Sequence, residues 1–297
     1  MSKVNLKGVG VALITPFGKD SAIDFDTLAQ LVDFQIENGV DYIVALGTTA
    51  ETPTLSEKEH HKVVRFIVNK VQGKVPVVVG IGGNNTAKLV DTLKTFDFSG
   101  VSAILSVTPY YSKPTQEGLY RHYCALSQAS PLPIILYNVP GRTGVNMTVE
   151  TTLRIARDCK NVVATKEASG DLTQIKAIID GASDGFDVIS GDDSIVASVI
   201  EMGGIGVISV FANAFPKEMV WLVNNSLKGN AKEAGQKMDS EYNEMLRLMF
   251  VEGNPAGIKC LLNLRGMVEN EVRLPLTSVS AETEKLIAKE LALITNH

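Results

Sequence analysis

The sequence predicts an α/β fold, a (β/α)8 TIM barrel carrying a small C-terminal α-helical appendage. Three observations predict it. Eight short runs rich in Val and Ile recur along the first three quarters of the chain. Longer segments with helical spacing separate them, and the units repeat at about 28 residues, as a barrel of about 250 residues requires. The runs are continuously apolar rather than alternating, which is the texture of strands covered on both faces. A doubly wound open sheet shares that texture, but eight regular units in a row favour closure. The repeat is one of fold; no repeat of sequence accompanies it.

The strands are expected at 9–14, 42–46, 77–81, 103–107, 134–137, 162–165, 187–190 and 206–210. The first helix follows from the stripe Phe25, Leu28, Val32 and Ile36, ended by Gly39 after Asn38. Ser56 with Glu59 three residues later forms a capping box ahead of Val63, Val64, Ile67 and Val71. Asp171 with Gln174 opens another helix, whose buried side carries Leu172, Ile175, Ile178 and Ile179. Past Phe215 no Val/Ile run follows. Ala234, Met238, Met245 and Met249 mark one tail helix. Asn254 reads as an N-cap, with Pro255 at the first helical position of a second. Ser280 caps a third, carrying Leu286, Ile287, Leu291 and Ile294. The barrel is placed at 1–225 and the helical domain at 226–297.

Composition narrows function. The chain has 297 residues, 45% hydrophobic and 21% charged, which excludes disorder and low-complexity scaffolds. Its net charge is −5 with no basic run, so no nucleic-acid footprint is expected. No apolar run approaches the roughly 18–20 residues of a membrane span. The N-terminus lacks the apolar stretch of a secretory signal, so the expected compartment is the cytoplasm. Cys124, Cys159 and Cys260 fit neither a disulfide framework nor a zinc pattern and read as buried thiols. No His/Cys/Asp/Glu cluster has metal spacing. His60, His61, His122 and His297 all lie away from strand mouths, which argues against a metal-dependent aldolase or a Ser-His-Asp hydrolase. The glycines at 80–83 lack the spacing of a dinucleotide fingerprint.

In such barrels the chemistry sits at the C-terminal ends of the strands. Lys166 follows the buried run 162–165 directly. A lysine at an apolar mouth loses hydration, which favours its neutral, nucleophilic form, able to make a Schiff base with a carbonyl. The structural alternative is a lysine paired with Glu167. Tyr137 leaves the neighbouring strand end and can pass protons through its hydroxyl. Arg142, between Gly141 and Gly144, presents a fork suited to a carboxylate; an exposed loop arginine is the alternative. Thr48 and Thr49 either satisfy loop backbone or bind a carboxylate and carry a proton. Tyr110 and Tyr111, after Pro109, read as an interface or pocket wall, with simple packing as the alternative. Asp192 and Asp193 read as helix-starting carboxylates.

These residues carry a resemblance. GTTAE at 47–51, TPYY at 108–111, YNVPGRTG at 137–144, KEASGD at 166–171, SGDD at 190–193 and GVISV at 206–210 occur in order, followed by NP at 254–255 and RLPL at 273–276. Together they resemble the dihydrodipicolinate synthase family, within the pyruvate-dependent class I aldolases that include N-acetylneuraminate lyase. The resemblance implies condensation of pyruvate with L-aspartate 4-semialdehyde, the first committed step toward diaminopimelate and lysine, with no metal or organic cofactor. It implies Lys166 as imine former, Tyr137 as proton donor and acceptor, and Thr49 and Tyr111 completing a relay. Thr48 and Thr49 would hold the pyruvate carboxylate, Arg142 the semialdehyde carboxylate, and backbone near Gly191 and Ile208 would line the pocket. The tyrosine matching Tyr111 reaches a neighbouring subunit in this family, which implies a dimer as the minimal unit and a homotetramer overall.

Two departures stand out. Ala50 replaces the family's usual glycine, and alanine disfavours positive φ by ~1 kcal/mol. The regulatory cleft, with Glu57, His60, Asn84, Lys88 and Tyr110 as its candidates, holds a lysine that repels an ammonium ligand. Weak or absent feedback inhibition by L-lysine is therefore expected. The rivals are another pyruvate aldolase (N-acetylneuraminate or 2-keto-3-deoxy acid), a nucleotide-binding open sheet, and a barrel without catalysis. Thr49, Tyr111 and Arg142 together favour the synthase.

Overall fold

A computed structural model describes residues 4–295; His297 lies outside them. Eight parallel strands close into a barrel in sequence order. They are β1 Gly8–Ala12, β2 Tyr42–Ala45, β3 Val77–Gly80, β4 Ala103–Val107, β5 Ile134–Asn138, β6 Val162–Glu167, β7 Asp187–Ser190 and β8 Gly206–Ser209. The register between β1 and β8, from Gly8 opposite Gly206 to Val11 opposite Ser209, closes the ring. All eight expected strands form. The main shift is at β5 and β6, which run further than their apolar stretches and take Asn138, Lys166 and Glu167 into the sheet.

The helices are α1 Phe25–Glu37, α2 Glu57–Val71, α3 Thr86–Thr95, α4 Gln116–Ala129, the single turn α5 Pro140–Thr143, α6 Val149–Asp158, α7 Leu172–Gly181, α8 Val196–Glu201 and α9 Pro216–Asn225, then α10 Ala231–Val251, α11 Ala256–Leu264 and α12 Ala281–Thr295 in the tail. The cap read from the sequence is in place at α7, where Asp171 accepts from Thr173 N and Gln174 N; α1 is also capped, by Asp24 accepting from Thr27 N, which the apolar stripe did not indicate. Ser280 likewise accepts from Thr283 N at the start of α12.

Strand side chains alternate between two cores. Val44, Val78, Leu105, Ile135, Ala164 and Ile189 point inward and fill the barrel, while Val11, Ile43, Val79, Ile104, Leu136 and Val188 pack outward on the helices. Gly10 makes room for the largest interior group: a Cβ there would sit 2.2 Å from the Tyr42 ring. The tail helices share the outer core. Met238, Met245 and Met249 of α10 are buried in it, and Tyr242 meets Phe211 edge-on at 5.4 Å.

Two expectations are corrected. Asn254 does not cap α11; the helix starts at Ala256 after Pro255, and the Asn254 side chain points elsewhere. Cys124 is half-buried rather than buried, with its Sγ 3.4 Å from Cys159 Sγ. No helix among the described residues is long and apolar enough to cross a membrane.

The capping box of α2 does a second job. Glu59 accepts from Ser56 N and also pairs with the Arg273 guanidinium of the tail, at 2.6 and 3.1 Å. Arg273, with help from the cap, holds Glu59 down to about 2, against an ordinary value of 4.5. Because the folded pKa lies below the unfolded one, the contribution is complete above 4.5 and disappears as the pH falls toward 2. A glutamine can keep the cap but not the charge. Glu59→Gln is therefore expected to cost about 1 kcal/mol near neutral pH, after allowing for solvent screening, and nothing in strong acid. Urea unfolding at both pH values checks this, and an equal loss at both would remove the charge from the account.

Candidate active site

Register brings the first two candidates together. Tyr137 on β5 stands opposite Lys166 on β6, and Lys166 opposite Ile189 on β7. Partners across parallel strands share a face, so tyrosine and lysine both point into the barrel mouth. Lys166 Nζ lies 4.2 Å from the centre of the Tyr137 ring. Lys166 is 5% and Tyr137 7% exposed, so both side chains are nearly withdrawn from solvent. Gly191 at the end of β7 clears space for the lysine: a Cβ there would sit 3.1 Å from Lys166 Cε and 2.6 Å from Ala168 Cβ.

Glu167 is not the partner of Lys166. Adjacent strand residues face opposite ways, and the Glu167 carboxylate accepts from Asn138 Nδ2 at 3.0 and 3.1 Å and from Ser169 N at 2.9 Å. Burial raises its pKa, opposed by these hydrogen bonds. The carboxylate thus ties the ends of β5 and β6 from outside while the amine faces the cavity.

The cavity measures about 550 Å³ and is lined by Thr48, Thr49, Tyr137, Arg142, Lys166 and Gly191, among others. Thr48 and Thr49 enter on a tight turn, Thr48–Ala50, which follows β2 after Leu46 and Gly47. Ala50 lies within that turn, while the left-handed residues there are Leu46 (φ 54°) and Glu51 (φ 56°). Alanine at this position therefore needs no glycine-like backbone. Arg142 projects from α5, and its Nη2 reaches the Asn254 main-chain oxygen at 3.4 Å.

Other candidates fall differently. Ile208 is 1% exposed within β8, packed inside the barrel; Val210 lines the cavity. Tyr111 is 88% exposed, in a left-handed conformation, and does not line its own chain's cavity. Asp193 is buried and accepts from Val210 N and Phe211 N, so it fastens the end of β8; burial raises its pKa. His122 is buried in α4, and burial lowers it to about 4.

Glu57, His60, Asn84, Lys88 and Tyr110 line one separate cleft of about 420 Å³. Lys88 pairs with Glu57 at 3.6 Å, and Asn84 Nδ2 donates to the Tyr110 main-chain oxygen at 3.3 Å.

The tail adds residues the sequence reading did not place in the site. Asn254 donates from Nδ2 to Thr49 Oγ1 at 2.9 Å. Asn243, Arg247 and Phe250 of α10 form part of the cavity wall. Lys259 of α11 is fully buried and pairs with Glu51, two residues past Thr49. The signal for Lys259 was a lone charge amid the apolar residues of α11.

Fold and cavity define the class: a barrel enzyme whose amine, phenol and guanidinium stand together at the strand ends. The chain belongs to the dihydrodipicolinate synthetase family, whose model matches residues 5–293. It is 52% identical over 291 residues to a 4-hydroxy-tetrahydrodipicolinate synthase of Parabacteroides distasonis, covering 98% of each chain. The solved dihydrodipicolinate synthase of Thermotoga maritima is 43% identical with a TM-score of 0.94, covering 97% of this chain and 98% of that one. That of Acinetobacter baumannii, solved with pyruvate, is 37% identical with a TM-score of 0.94, covering 98% of this chain and 99% of that one.

Proposed function

We propose that this enzyme condenses pyruvate with L-aspartate 4-semialdehyde to form 4-hydroxy-tetrahydrodipicolinate, through a Schiff base on Lys166. The observation that carries the reading is the register pairing of Lys166 with Tyr137, at the wall of a cavity that also holds Thr48, Thr49 and Arg142. The Parabacteroides distasonis relative bears the synthase name, and the Acinetobacter baumannii structure contains pyruvate.

The Lys166 amine adds as its free base to the ketone carbon; the resulting carbinolamine takes up a proton from Tyr137 and loses water, giving a protonated imine. That imine accepts the electron pair left when a methyl proton departs, so an enamine forms. The enamine carbon attacks the aldehyde, whose oxygen takes up a proton. The amino group of the semialdehyde then adds to the imine carbon and displaces Lys166, closing the ring and returning the free amine. Tyr137 carries the protons of these steps, with Thr49 passing them on. Thr48 and Thr49 hold the pyruvate carboxylate and Arg142 the semialdehyde carboxylate.

A coupled assay with pyruvate plus the semialdehyde, run beside sialic acid cleavage, tests the assignment. Turnover only in the second reaction transfers the chain to the aldolase rival. Tyr137→Phe is expected to keep the fold and lower kcat by ~10²–10⁴, the range for a lost acid–base group. Wild-type turnover would take the phenol out of the mechanism.

The proposed assembly is a homotetramer built from dimers, with the exposed Tyr111 of one subunit completing the relay in the next, and the proposed location is the cytoplasm. Both follow from the family resemblance. In the second cleft, Lys88 opposes an ammonium ligand and occupies Glu57. L-lysine at sub-millimolar concentration is expected to inhibit weakly or not at all, and a halved initial rate would reverse that reading.

A further inference from the structure

Asn254 is placed by the tail but works at the barrel mouth. The residue is 7% exposed and lines the same cavity as Thr49, Tyr137 and Lys166. Its Nδ2 donates to Thr49 Oγ1 at 2.9 Å, and its main-chain oxygen accepts from Arg142 at 3.4 Å. One residue thus touches both the hydroxyl and the guanidinium assigned to substrate carboxylates. Among the described residues, none donates to its own buried Oδ1. A side chain kept only for stability is expected to satisfy that oxygen, since a bare buried acceptor is destabilising.

A threonine hydroxyl has one hydrogen to give and lone pairs to receive. An amide N–H on the oxygen uses a lone pair from the tail side. The hydroxyl hydrogen is then free for the cavity side, where a carboxylate oxygen or the Tyr137 oxygen can accept it. A hydroxyl that accepts one hydrogen bond also donates the next more strongly. With an acceptor at position 254 instead, the hydrogen turns toward the tail and lone pairs face the cavity. Such a hydroxyl repels a carboxylate and has no proton to pass to the phenol.

We propose that Asn254 is a positioning residue that fixes the direction of hydrogen bonding at Thr49, so that this hydroxyl donates into the cavity. The inference rests on the role given above to Thr49. Docking of the tail holds the asparagine in place, through the left-handed Gly253 (φ 99°) before it and the Lys259–Glu51 pair beyond it.

The test compares full-length Asn254→Ala, Asn254→Ser and Asn254→Asp in the coupled assay across pH, with unfolding midpoints recorded. Asn254→Ala is expected to lower kcat about 10- to 100-fold, the scale of a misplaced reacting group, with a smaller change in KM. Asn254→Ser retains more turnover than alanine and supplies the answer if alanine destabilises the tail. Asn254→Asp is at least as slow as alanine near neutrality, because a carboxylate only accepts. It regains rate as acid protonates the new carboxyl, a limb absent from the other profiles. In a Thr49→Val background, Asn254→Ala costs nothing further. Wild-type kcat for Asn254→Asp at neutral pH, or losses that follow only the unfolding midpoints with unchanged pH profiles, overturns the proposal. Failure of the underlying reading shows separately, as wild-type enzyme that traps no pyruvate on Lys166 under borohydride.

Discussion

Lys166→Ala is expected to lower condensation by roughly 10⁴-fold or more, because the covalent route is lost with the amine. The barrel should survive the change. Among the described residues no acidic side chain pairs with Lys166, so its removal leaves no buried charge uncompensated. Lys166→Arg should be equally inactive, since a guanidinium stays charged and does not form the imine. Borohydride reduction with pyruvate, followed by mass spectrometry, should find one three-carbon unit on Lys166 in the wild type and none in the variant. The competing result is specific. Lys259 is the other buried lysine among the described residues, and burial pulls it down to about 8 against the opposing effect of Glu51. A lysine so lowered is a second candidate nucleophile. Access decides otherwise: Lys259 is sealed between Glu51, the Glu271 oxygen and the Phe17 ring, while Lys166 lines the cavity. Pyruvate found on Lys259 would overturn the assignment.

The contrast between these lysines shows what the chain makes legible. The strands were readable because both faces are covered, so each is a continuous apolar run. Lys166, Tyr137 and Arg142 were readable because polar groups at the ends of such runs must face the mouth or one another. Their mutual placement needed the β5–β6 register, which no local pattern states. Asn254 was misread because an asparagine before a proline is a sound local signal for a helix start. Tertiary contact with Thr49, more than two hundred positions earlier, overrides it. Ala50 looked like a departure because the family's glycine implied a left-handed turn. The left-handed residue is its neighbour Glu51.

Glu51 also gives the second large expected effect. Its carboxylate receives Lys259 Nζ on one oxygen and Arg273 N on the other, with Glu51 and Lys259 side chains both fully buried. Removing either charge strands the other away from water, which typically costs about 3–5 kcal/mol. Lys259→Met, which keeps the length of the stem, is therefore expected to destabilise the protein by about that amount, read as a fall in the denaturant midpoint. The double replacement Glu51→Gln with Lys259→Met leaves no unpaired charge and should recover part of the loss. Activity should separate the two roles of the pair. Glu51 follows the Thr48–Ala50 turn and Lys259 follows Asn254, so the bond fixes the tail against the loop that presents Thr49. If it acts on position as well as stability, the double variant regains stability but not full kcat. Full kcat in a restored fold would confine the pair to holding the tail in place.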